Sequence, residues 1–286
     1  MKVSVLTLVR GREKQLRHVL TSLARQTRPP DEVVIAYMQE ASYEDLPDPG
    51  CPVRPVFIPG DPMPLAAARN AAATAASGEA LIFLDVDCIA GPGLVAAYLA
   101  ALEQHPALYL GEVFYLPEMP LHGIDYALFD EVGEPHPARP EMPARGVRRE
   151  PDAGQLWGLS FALLRRTWMA VGGMDSAFVG YGGEETDFAV RLAQQDTEFY
   201  WVAGARAYHQ HHPVHIPPLH HFEAIVRNAA QFYARHGRWC MEYWLDQFSR
   251  AGLIEWCPDA AKLHVLRAPT WSEIQASRQS GVVRYS

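Results

Sequence analysis

Ala80-Leu81-Ile82-Phe83-Leu84-Asp85-Val86-Asp87 is the stretch on which the fold turns. Five apolar residues in a row read as a strand buried on both faces, as in a mostly parallel sheet. Ligands of open α/β sheets gather at strand ends. Two carboxylates one residue apart at such an end are poorly placed for packing. They are well placed to hold a hard divalent cation against a diphosphate. An isolated Asp-x-Asp is also a common strand-end turn or helix cap, so the pair needs support from other segments.

The flanking segments alternate as an α/β domain does. Val3 to Val9 predicts a strand and Glu32 to Tyr37 a second one. Between them, Lys14 to Arg25 has Leu16, Val19, Leu20 and Leu23 at helical spacing, with Pro29-Pro30 beyond its end. Residues 41–64 are rich in Pro, Asp and Gly and predict loop, with a short strand near Val53 to Ile58. Leu65 to Ala76 and Gly91 to Glu103 predict helices on either side of the acidic strand. Further on, Tyr109 to Tyr115 reads as one strand and residues 117–153 as a long surface excursion. Leu156 to Leu164 is apolar, Thr167 to Val171 and Glu184 to Gln194 predict helices, and Phe199 to Val202 predicts a strand. From Pro217 the pattern is helical and aromatic, through Phe222, Phe232, Trp239, Trp244 and Phe248. Plain core packing is the expected role of that segment, with cover over an acceptor site or a homodimer face as alternatives.

Composition narrows the partners. The 286 residues are 49% hydrophobic, enough for a sizeable core, and the net charge is -8. That charge argues against nucleic acid or an anionic membrane as partner. No run of about 18 apolar residues is present, so no membrane span is expected. Cys51, Cys88, Cys240 and Cys257 are scattered without a CxxC pair, which points to a reduced, cytoplasmic setting and away from a cysteine zinc site.

Three further segments carry chemistry. Gly180-Tyr181-Gly182-Gly183 predicts an adaptable loop, followed at a helix start by Glu184-Glu185-Thr186-Asp187. Helix-dipole preference explains acids there only in part, and a carboxylate at that junction can act as general base. Tyr208-His209-Gln210-His211-His212 follows a strand, and seven of the twelve histidines lie between His209 and His236. Neutral imidazole suits Mn(II) or Zn(II), but the cluster alone does not say which ring binds, and no HExxH is present. Arg10 and Arg69 could each pair with a phosphate or base, against a plain surface role. Neither GxGxxG nor GxxxxGK[ST] occurs.

In this order the segments resemble the inverting GT-A glycosyltransferases of the family-2 type. Val3-Ser4-Val5-Leu6-Thr7, Leu20-x-Ser22-Leu23-x-x-Gln26-Thr27, Ala68-Arg69-Asn70 and Leu84-Asp85-Val86-Asp87 are similar to that family's donor half and DxD motif. Val171-Gly172-Gly173-Met174-Asp175 and Gly180 to Asp187 are similar to its acceptor half. The second stretch also resembles the WGWGGEDDD element of the galactosyltransferase and N-acetylgalactosaminyltransferase group, with Tyr208-His209-Gln210 like that group's third metal ligand.

The resemblance implies an α/β, GT-A (Rossmann-like) fold with a mostly parallel central sheet flanked by helices. It implies a domain over 1–215, split into a nucleotide-binding half (1–105) and an acceptor half (106–215), with 216–286 a helical extension packed on it. It implies Mn2+ or Mg2+ held by Asp87 and His209, with Asp85 nearer the ribose or reaching the same ion. Glu185 would be the base, and Glu184 would bind sugar hydroxyls. Thr7, Arg10, Arg69, Asp85 and Val86 would hold a nucleotide sugar, and Trp157, Tyr181, Gly183 and Asp187 a glycan or small-molecule acceptor. Many members carry an acidic pair after the second strand. Here Tyr37-Met38-Gln39-Glu40 stands there, with Gln39 as candidate replacement, so UDP is expected but GDP stays open. A metal-dependent nucleotidyltransferase, for which Val9-Arg10-Gly11-Arg12 is a thin loop, and a catalytically silent sugar-binding protein are the competing readings.

Overall fold

The computed structural model describes residues 1–279 and 283. Its first half repeats strand and helix: β1 (Val3–Val9), α1 (Glu13–Leu23), β2 (Glu32–Tyr37), β3 (Val53–Phe57), α2 (Leu65–Ala75) and β4 (Ala80–Leu84). Then come β5 (Cys88–Ala90), α3 (Leu94–Gln104), β6 (Leu108–Leu110) and β7 (Val113–Tyr115). The middle of the chain holds α4 (Tyr126–Val132), β8 (Glu134–Pro135), β9 (Val147–Glu150), β10 (Ser160–Leu164) and α5 (Arg165–Val171). It continues through α6 (Glu184–Ala193), β11 (Phe199–Val202), β12 (Ala207–His209), α7 (Phe222–His236) and α8 (Glu242–Arg250). A short hairpin, β13 (Ile254–Glu255) and β14 (His264–Val265), precedes α9 (Trp271–Ser277).

The main sheet has eight strands in the order β3-β2-β1-β4-β10-β6-β11-β9. Strands β3, β2, β1 and β4 pair in parallel, as do β6 and β11, while β10 and β9 run against their neighbours. The sheet is therefore mostly parallel, as expected, with one antiparallel strand inserted beside β4.

Apolar runs without polar alternation follow from burial on both faces. Along β4, Ala80, Ile82 and Leu84 join the core beneath α1 and α3, and Leu81 and Phe83 join the core beneath α2, α5 and α6. Strand β1 divides in the same way, Val3, Val5 and Val9 to one side and Leu6 and Leu8 to the other. Alanines 66, 68, 72 and 73 of α2 let that helix lie close on β1 and β2.

Two expectations about the middle of the chain are corrected. Residues 109–115 do not form one strand. They break at Gly111, where a Cβ would meet the Tyr98 hydroxyl and the Ala205 carbonyl, and β7 leaves for a second sheet of order β5-β12-β7-β8. Residues 117–153 are not only an excursion, since they supply α4, β8 and the edge strand β9. Phe129 of α4 is buried against Ile89, Leu116 and Tyr208, so a few well-spaced apolar residues suffice to anchor it.

The C-terminal helices have their own core, Phe222, Ile225, Phe232, Leu245 and Phe248 among its members, and Phe178 of the acceptor segment belongs to it. Residues 280–282 and 284–286 of the expected extension lie outside the described residues. No helix among the described residues is long and apolar enough to cross a membrane. The four cysteines are free thiols.

Candidate active site

The acidic pair leaves β4 in a turn held on both flanks. Asp85 N donates to the Leu159 carbonyl at 2.9 Å, and Gln210 N donates to the Asp87 carbonyl at 2.7 Å. Strand β5 follows and pairs antiparallel with β12, in a register that sets Cys88 opposite His209. That register carries His209, more than a hundred residues away in sequence, to the side of Asp87.

Asp87, His209 and His212 offer ligand atoms that all lie within 4.8 Å of one another. Asp87 and His209 are buried, and Oδ1 of Asp87 is buried without a hydrogen-bond partner among the described residues. Burial pushes His209 down to about 4, against the pull of Asp87, so its ring is neutral with a lone pair to give. His212 is also lowered, first by burial. One carboxylate and two neutral imidazoles form a donor set that suits Mn(II) or Zn(II). The residues present therefore fit a divalent cation.

Asp85 lies outside this cluster of three. Burial pushes its carboxyl up to about 6, Arg69 pulls it down, and Asp87 and Glu185 push it up. Asp85 thus stands in the field of the metal-type cluster and of the acidic helix start together. Val86 is buried between the two aspartates, its carbonyl accepting from Gln210 Nε2 at 3.5 Å.

On the other side, Gly183 caps α6 with φ +91, and Glu184 and Glu185 open the helix. Glu184 is 2% exposed, and its carboxyl lies well above the usual range, first through burial and then through Glu185. Arg69, expected at the nucleotide, pairs with both glutamates. Its guanidinium is buried, 3.3 Å from Glu184 Oε1 and 2.8 Å from Glu185 Oε1. Burial opposes its charge, but Glu185 and Glu184 hold it there.

Other expected contacts scatter around this centre. Thr7 is fully buried in β1, and its hydroxyl has no hydrogen-bond partner among the described residues. Arg10 Nη1 donates to the Gly60 carbonyl at 2.9 Å and lies 3.6 Å from Asp61. Gln39 Oε1 accepts from Gly11 N and from the Tyr43 hydroxyl, each at 3.0 Å, and so ties the loops after β1 and β2. Tyr181 stacks on His221 at 4.4 Å and tilts towards Trp244 at 5.6 Å. Trp157 carries the Arg139 guanidinium over its ring at 3.4 Å, so one face is taken.

Asp187, expected at the acceptor, lies inside an ion-pair network. It has no exposure, and its carboxylate meets Arg191 at 2.7 Å, Arg235 at 2.7 Å and His236 at 2.9 Å. It ties α6 to α7.

Three residues outside the expected set of site residues belong here. Arg12 bonds Asp87 Oδ2 through Nη1. His212 joins the metal-type cluster, where the sequence alone left the choice among His209, His211 and His212 open. Gly158 roofs the Arg69–Glu185 pair. A basic residue after the β1 loop was the only available signal for Arg12. Gly158 had none.

The family model described as glycosyl transferase family 2 matches residues 55–143, and that described as N-terminal domain of galactosyltransferase matches residues 145–215. Validoxylamine A glucosyltransferase of Streptomyces hygroscopicus subsp. limoneus is 27% identical over 230 residues, covering 66% of this chain and 47% of that protein. The protein of the same name from S. hygroscopicus subsp. jinggangensis is 27% identical, with 51% of it covered. The chain thus spans about half the length of the curated relatives it matches.

Among solved structures, GalNAc-T7 with UDP, GalNAc and Mn2+ superposes with a TM-score of 0.57 at 18% identity, covering 74% of this chain and 44% of that one. A fragment of S. aureus TarS superposes with a TM-score of 0.55 at 15% identity, covering 82% and 66%. The fold is GT-A. Two glycosyltransferase family models thus match successive stretches of the chain, and the relatives it resembles are glycosyltransferases.

Proposed function

We propose that this protein moves a sugar from a nucleotide donor, a UDP-sugar first, to an acceptor hydroxyl by metal-dependent single displacement with inversion. The observation that carries this reading is the path from Asp85 to Glu185: Asp85 N donates to the Leu159 carbonyl at 2.9 Å, and the adjacent Gly158 lies over the Arg69–Glu185 pair. The metal-type cluster and the acidic helix start are thus two walls of one site. The relatives named as glucosyltransferases support a sugar donor, and the neighbour solved with UDP and Mn2+ supports its nucleotide and ion.

Asp87, His209 and His212 would hold the cation. When bound, a divalent cation supplies Lewis-acid stabilisation of charge on a diphosphate. Arg12, bonded to Asp87, adds a cation where phosphate oxygens would lie. Glu185 takes the proton of the acceptor hydroxyl as its oxygen attacks the anomeric carbon. The bond from that carbon to the phosphate oxygen breaks on the opposite face, and the electron pair leaves with the nucleoside diphosphate. Tyr181, backed by His221 and Trp244, offers a partly buried aromatic wall for the acceptor.

A thermal-shift and product assay with UDP-sugars and Mn(II) tests the reading. Binding of UDP with Mn(II) should raise Tm, since about 100 Kd of ligand is worth roughly 2.7 kcal/mol. Asp87→Ala should lose that shift together with transfer and donor hydrolysis; full activity in this variant removes the metal role. Release of pyrophosphate in place of nucleoside diphosphate would favour nucleotidyl transfer.

A further inference from the structure

Gly158 and Arg69 together confine one oxygen of Glu185. Gly158 has φ +76, where a side chain is strained, and a Cβ built on it would collide with Glu185 Oε1. The same Cβ would lie 2.8 Å from Arg69 Nη2 and 3.2 Å from Glu185 Cδ. From below, Arg69 Nη2 holds that same Oε1 at 2.8 Å, while Nη1 turns to Glu184. The arginine side chain is 3% exposed, so its end of the pair is shielded from water.

A glutamate has three rotatable torsions, and an unrestrained one samples many orientations. A general base works only when its oxygen is held within hydrogen-bond reach of the proton it removes. We propose that Arg69, under the Gly158 roof, is a positioning residue that fixes Glu185 by Oε1 and leaves Oε2 to take the acceptor proton. This rests on the reading of Glu185 as base. The flat guanidinium serves two carboxylates at once, which a lysine ammonium on a flexible stem reproduces poorly. Charge neutralisation alone does not require a glycine at 158, because a methyl group there would leave every charge in place.

The test compares Arg69→Lys, Gly158→Ala, their double variant and Glu185→Gln. Each is assayed for Mn(II)-dependent hydrolysis of UDP-glucose, with water as acceptor, below its own Tm. Both single variants should lose about a hundredfold in kcat, the cost of a misplaced reacting group. KM for UDP-glucose and the thermal shift given by UDP with Mn(II) should stay at the wild-type values. The double variant should be no worse than the poorer single one, because both remove one constraint. Losses that multiply, or kcat within twofold of wild type in both singles while Glu185→Gln is inactive, overturn the positioning role alone. An active Glu185→Gln overturns the base reading and this proposal with it. Loss confined to Tm, with kcat per folded molecule retained, assigns Arg69 to stability and overturns the proposal.

Discussion

Asp187 lies in the first turn of α6 with its oxygens shared among Arg191, Arg235 and His236. Removing one partner from a buried charge group costs about 3–5 kcal/mol, because the rest stay buried and uncompensated. Asp187→Asn should therefore lower unfolding free energy by about 3 kcal/mol in urea, with acceptor KM unchanged. A raised acceptor KM at full stability would return Asp187 to the binding site. The neighbouring Glu185 has the same residue class and nearly the same position, yet it is only half-buried. A row of acids at a helix start was visible in the chain. Which of them meets solvent depends on the helix face and on what packs over it.

At the scale of elements, β2 begins with a carboxylate that ties three segments. Glu32 Oε1 accepts from Ser4 Oγ at 2.6 Å, Ser77 N at 2.5 Å and Ser77 Oγ at 2.8 Å, joining β2 to β1 and to the turn before β4. Burial raises this carboxyl, but the bonds from Ser4 and Ser77 and the charge of Lys2 outweigh it, and it titrates below the ordinary glutamate value. A depressed acid contributes stability above its unfolded pKa, and that contribution is lost as pH falls through the folded one. Glu32→Gln should thus cost about 1–3 kcal/mol at pH 7. The gap to wild type should close as pH drops below about 4.5, the ordinary value for glutamate. Urea midpoints at a series of pH values check this; a gap that is constant with pH would mean that packing, and not charge, is at work. The strand itself was legible from Glu32 to Tyr37, whereas the break at Gly111 was not. It is imposed by Tyr98 and Ala205, which arrive from distant parts of the chain.

At the scale of the whole molecule, α7 holds the acceptor loop from behind. Asn228 is fully buried, and its Nδ2 donates to the carbonyls of Val179 at 3.1 Å and Gly182 at 2.7 Å. Arg227 bonds Val179 as well, and Met241 and Trp244 lie where a side chain at Gly182 would go. A chain ending at residue 215 loses these bonds and uncovers Phe178, which is 1% exposed in the intact fold. Such a chain should lack a cooperative thermal transition, measured by circular dichroism; an unchanged Tm would make 216–286 an independent unit.

The doubly covered sheet is written in the chain itself, since an apolar run such as Ala80–Leu84 excludes a solvent-facing side. The sequence also located the acidic pair and the glycine-acid loop, because strand ends and helix starts are local features. Tertiary structure alone decided that Cys88 lies opposite His209, that His212 joins the cluster, and that Arg69 reaches Glu185 under Gly158. Local pattern specifies an element and the faces it buries. Contacts between side chains a hundred residues apart depend on strand register and helix packing, which the whole core sets at once.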